Sequence, residues 1–149
     1  MRIIFLYTLL TSFLFSETVT LTNIEKVASN FLNQKIFEVK EPISNLQLPE
    51  YSNINVINFF PKGFVLASND NQIIPIIAYS LDGNFNHTDI PNHLKIILSR
   101  YEVEINQLLQ NRIFNDKNFQ LWEKLLNDGV GEETVRNVDP LITAEWDQD

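Results

Sequence analysis

Residues Gly63 to Phe85, GFVLASNDNQIIPIIAYSLDGNF, constrain this chain more than any other stretch, because they read as a β-hairpin. Gly63 to Ser68 forms one apolar run and Ile73 to Tyr79 the next, with Asn69-Asp70-Asn71 as the turn between them. Asn and Asp tolerate the left-handed conformations of such turns, since their short polar side chains bond locally to the backbone. Pro75 has no N–H to give to a ladder and therefore suits an edge or a bulge. A preceding strand is expected at Ile54 to Phe60, ended by the turn signal Pro61-Lys62-Gly63. Lys35 to Glu41 alternates with a period near two and reads as a short strand, and Pro42 to Glu50 as a polar loop.

Helical periodicity brackets this β segment. Ile24, Val27, Ala28, Phe31 and Leu32 recur along one face, and Thr22 with Glu25 makes a capping box that starts the helix. Pro91 suits a first helical position. Beyond it, Leu94, Ile97, Leu98, Tyr101, Ile105, Leu108 and Leu109 trace one stripe of the longest element. Another helix is expected from Asp116, with Phe119, Trp122 and Leu126 inward and Gly129 as its C-cap. This order gives an α+β fold: an antiparallel meander of about four strands, with an N-terminal helix and two C-terminal helices packed on one face.

The chain's 149 residues fit one domain, and 44% hydrophobic with 20% charged residues is a globular composition. Met1-Arg2 followed by the apolar run Ile3 to Phe15 has the layout of a secretory signal peptide and falls short of the ~20 residues that span a bilayer. Residues 1–16 are therefore expected to be removed, which takes away Arg2 and no acid, so the formal charge goes from -8 to -9. The product is secreted and acidic, with no stable membrane anchor. Nucleic acid and anionic membranes are disfavoured partners, because their attraction depends on clustered Lys and Arg.

Catalytic arrangements are thin. There is no cysteine, hence no thiolate nucleophile and no disulfide framework. His87 and His93, with Asp89 between them, make too few ligands for a zinc site. Ser80 and Ser99 lack a strained nucleophile elbow. No catalytic, metal or cofactor residues are assigned. Asn86-His87-Thr88 matches a glycosylation sequon, read as coincidence in an Asn-rich chain, and the acidic residues after Gly131 lack the register of a calcium loop.

In residue order the hairpin resembles the N-terminal inhibitory prodomain, or Spi-type inhibitor, of the streptopain-family cysteine peptidases. Gly63-Phe64-Val65, Ser68, Asp70, Pro75, Tyr79-Ser80, Gly83 and Phe85 fall on the family pattern, while Asn69 and Ala78 stand where it usually has Gly. Val138 to Gln148 resembles the family's junction with its catalytic domain. The resemblance implies residues 17–131 as the inhibitory domain and 132–149 as a linker to a catalytic domain the chain lacks. It implies a streptopain-like cysteine peptidase as partner, in cis or in trans, inhibited by occlusion of its cleft. It assigns the inhibitory loop to Asn86 to His93, including Asn86, His87, Asp89, Asn92 and His93, with Asn92 first and His93 second as the side chain entering the site. For Asn92 an ordinary place in the first helical turn is an equal alternative. A remnant of a truncated precursor and a secreted binding module without inhibition are the competing functions.

Overall fold

In a computed structural model, residues 18–36, 40–111, 115–127 and 142–143 are described. The elements run α1 Leu21–Ile36, β1 Glu41–Leu48, β2 Tyr51–Phe60, β3 Phe64–Ser68, β4 Ile76–Ser80, α2 Asn92–Gln110, α3 Asp116–Asn127 and β5 Ile142–Thr143. One sheet has the order β1-β2-β3-β4-β5. The first four strands pair antiparallel in chain sequence and β5 adds in parallel to β4. The expected α+β class and four-stranded meander are present.

The helices, expected on one face, divide between both. Ile24, Val27, Ala28, Phe31 and Leu32 of α1 and Trp122 and Leu125 of α3 bury against Ile57, Phe59, Val65, Ala67 and Ile76. On the opposite face Leu94, Leu98 and Ile105 of α2 cover Ile54, Val56, Phe64, Leu66 and Ile77. β3 is consequently buried at every residue, which is why FVLAS is an unbroken apolar run and not an alternating one. The Phe31 ring meets Tyr79 edge-on at 5.1 Å. Asn30 Nδ2 donates to the Leu125 carbonyl at 2.6 Å and ties α1 to α3.

Several boundaries move for identifiable reasons. The start of α1 is capped by Thr20, whose hydroxyl accepts the Asn23 N–H at 3.3 Å, and not by Thr22. Just upstream, the Val19 N–H bonds the Asn69 carbonyl and Thr18 bridges to Asp70, so a tertiary contact fixes where the chain turns into the helix. The expected strand at Lys35 to Glu41 is instead the end of α1 followed, after residues outside the described set, by the start of β1. β1 occupies most of the segment read as a loop. It is an edge strand exposed along most of its length, so nothing selects apolar alternation there, and Pro42 sits at a register shift where its missing N–H costs little.

β4 begins at Ile76 rather than Ile73. Asp70 closes a local turn, its Oδ1 accepting from the Gln72 N–H at 2.8 Å and its carbonyl from the Ile73 N–H. The Pro75 carbonyl then accepts from the Ser68 N–H. The register shifts between Leu66 and Ala67, a bulge of the kind Pro75 suggested. Ile73 does different work: its carbonyl accepts the indole N–H of Trp122 at 3.0 Å. In α2, Leu94, Leu98 and Ile105 are buried while Leu108 is exposed. In α3, Trp122 and Leu125 are buried, Leu126 is half-buried and Phe119 faces outward. Gly129 and residues 1–16 lie outside the described set. Among the described residues no helix is long and apolar enough to cross a membrane.

Candidate functional site

The segment between β4 and α2, residues 81–91, is rooted at one end by a short ladder of turns. Ser80 Oγ donates to the Asp82 carbonyl at 2.7 Å and accepts its N–H at 3.2 Å. The Gly63 N–H bonds the Gly83 carbonyl at 2.8 Å, so the β2–β3 turn supports the loop. Lys62 and Asp82 form an exposed ion pair across this junction. The hydrogen bond from Lys62, and then its charge, hold the Asp82 carboxyl below the usual carboxylate value. Lys40 approaches from the other side, its buried ammonium donating to the Lys62 carbonyl at 2.6 Å.

Phe85 is the root of the exposed part. It is 8% exposed and its ring meets Phe64 edge-on at 5.4 Å. Its N–H donates to Asn58 Oδ1 at 2.7 Å, and its carbonyl accepts from Asn58 Nδ2 at 3.2 Å. Asn86 then closes a turn, its Oδ1 accepting from the Thr88 N–H at 3.0 Å and the Thr88 hydroxyl at 2.8 Å. Ile90 returns to the apolar layer, and α2 starts after Pro91.

Pro91 is the N-cap and Asn92 the first helical residue, one position later than the sequence suggests, and no side chain caps this end. Asn86, His87, Asp89, Asn92 and His93 are all exposed. The first three lie in the turn and the last two in the first turn of α2, held between the buried residues Phe85 and Leu94. Asn92 does sit in the helix, yet its amide makes no hydrogen bond with the described residues. Among the described residues no three His, Asp or Glu side chains are grouped to hold a metal ion. What the arrangement offers is a set of exposed amides and imidazoles held between the buried residues Phe85 and Leu94.

Asn58 is the residue that reading the sequence missed. Its signal was available: Ile54, Val56 and Asn58 share a strand face by period two, and an amide at the third of these positions calls for a polar partner.

Comparison with known families specifies the class of the protein as protease inhibitor. A family model described as Spi protease inhibitor matches residues 16–105, more than half of the chain. The chain belongs to that family. The matched span contains α1, the four antiparallel strands, the loop between β4 and α2 and most of α2. No curated protein and no solved structure matches the chain.

Proposed function

We propose that this protein is a secreted inhibitor that binds a streptopain-like cysteine peptidase and covers its active-site cleft with the loop Asn86 to His93. The observation that carries the reading is the position and build of that loop. It leaves the hairpin that bears the family resemblance, it is fixed at Phe85, Ile90 and Leu94, and between these anchors every exposed side chain except Pro91 is polar. In this scheme residues 1–16 are the export signal, 17–131 the inhibitory domain, and 132–149 a linker toward a peptidase domain; within that linker Ile142–Thr143 adds to the inhibitory domain's sheet as β5. The chain supplies no thiolate of its own, so its part is occlusion. Its net charge, -8 for the full chain and -9 without residues 1–16, favours a basic rim around the partner's cleft and raises the association rate more than the final affinity.

Asn92 enters the cleft in this reading, where its uncommitted amide bonds groups lining the site. Titrating the purified protein into a streptopain-type peptidase tests the proposal, with loss of activity expected and full activity at micromolar excess refuting it. Asn92→Ala is expected to weaken inhibition roughly tenfold, the effect of one hydrogen bond in a desolvated contact. Its thermal unfolding should match the wild type, because the side chain is exposed and makes no hydrogen bond among the described residues. Unchanged inhibition would clear Asn92 of the role.

A further inference from the structure

Within β2 the alternation Ile54, Val56 delivers side chains to the layer under α2, and Asn58 continues that row as a half-buried amide. The strand pairing places Asn58 opposite both Ser44 and Phe64. Its side chain spends its capacity on the chain beyond β4: Oδ1 takes the Phe85 N–H at 2.7 Å and Nδ2 reaches the Phe85 carbonyl at 3.2 Å. A third contact runs from Nδ2 to Ser44 Oγ at 3.3 Å. A carboxamide has the donor and acceptor of a peptide group, so one side chain does for Phe85 what a neighbouring strand would do for both of its backbone groups. The Phe64 ring fixes Phe85 by its side chain and Asn58 fixes it by its backbone. Asn86, which closes the exposed turn, is the next residue.

We infer that Asn58 is the positioning residue of the inhibitory loop: by holding both backbone groups of Phe85 it sets where Asn86 to Asp89 stand, and so how well the loop fits the peptidase cleft, without touching the peptidase. This rests on the functional reading above. Ordering the loop before contact removes part of the entropy that binding would otherwise have to supply. A residue acting this way changes inhibition out of proportion to its effect on the fold.

Asn58→Asp keeps the size and the acceptor for the Phe85 N–H, removes the donor, and sets a carboxylate against the Phe85 carbonyl. Ser44→Ala, which removes the third contact and leaves the Phe85 clamp whole, is the control. With the full chain, the inhibition constant against a streptopain-type peptidase and amide hydrogen exchange are measured together. Asn58→Asp is expected to raise the inhibition constant roughly tenfold or more. It should speed exchange at Phe85 and Thr88 by a similar factor while exchange at Val56 and Val65 stays as in the wild type. Ser44→Ala should leave all of these unchanged. A merely structural role would accelerate the sheet amides as well, through global opening, and that result overturns the inference. So does Asn58→Asp inhibiting as well as the wild type. If Asn58→Asp does not fold, Asn58→Ser, uncharged and too short to span both Phe85 groups, is read by the same criteria. A wild-type protein that leaves the peptidase active overturns the functional reading itself, a separate outcome from loss confined to the variants.

Discussion

Gly63 opens the hairpin that identifies this chain, and replacing it with Ala tests why that residue is there. Its φ is +115°, a region that residues with a Cβ rarely enter. Both backbone groups are engaged, the N–H with Gly83 and the carbonyl with the Phe59 N–H, so the peptide cannot simply rotate away. An added Cβ would stand 3.1 Å from the Ser80 carbonyl oxygen and 3.4 Å from the Lys40 ammonium. Lys40 can shift, but Ser80 is paired with Phe64 in the sheet, and moving it disturbs the ladder beside the loop root. Backbone strain of this kind costs about 1–3 kcal/mol, and Ala recovers about 0.4–1 kcal/mol by restricting the unfolded chain. With the close contact to Ser80 added, Gly63→Ala should lose about 1–3 kcal/mol, or roughly 3–9 °C in Tm for a chain of this size. Gly83 is the internal comparison: its φ is +73° and nothing lies within 4 Å of a Cβ placed there. Gly83→Ala should therefore cost under about 1 kcal/mol. Urea unfolding followed by circular dichroism reads both variants. Equal losses, or a larger loss at Gly83, would refute the assignment of the cost to crowding against Ser80.

Trp122→Phe removes the indole N–H that bonds the Ile73 carbonyl and leaves that carbonyl beside a smaller ring at a site only 2% exposed. The orphaned acceptor costs about 1–3 kcal/mol and the lost volume roughly 1 kcal/mol more, so the urea midpoint should fall clearly, and a change below about 0.5 kcal/mol would contradict the packing of α3. The depressed Asp82 carboxyl contributes stability that is present above its unfolded value near about 4 and is lost as pH falls through the lower folded value. Asp82→Asn should flatten that acid limb of the Tm profile at low salt, the two proteins converging at high salt because the pair is exposed and screened; profiles that stay parallel through the acid range would argue against the ion pair.

Helix α1 shows how much of the fold was legible: its five core residues were evident from spacing alone, because a helix that buries one face must repeat its apolar side chains near 3.6 residues. Its starting residue was not evident, since Thr20 and Thr22 are both good caps and the contacts of Thr18 and Val19 with the β3–β4 connection choose between them. β1 was hidden for the opposite reason. An exposed edge strand is held by its backbone partner, and that leaves no hydrophobic period to read. In the site, the sequence located the loop between the last antiparallel strand and the longest helix, and the structure exposes every residue singled out there. Asn58, 27 residues before the Phe85 it holds, carried only the faint signal of a polar side chain in an apolar row.

By itself the sequence determined the α+β class, the hairpin, the three helices and the family resemblance, because periodicity, turn residues and local order are properties of neighbours along the chain. Only the tertiary structure decided which face of the sheet each helix covers, that β4 starts three residues late, and which distant side chain fixes the loop. Those outcomes depend on pairings between segments far apart in sequence, where one bulge or one amide settles a register that no local pattern specifies.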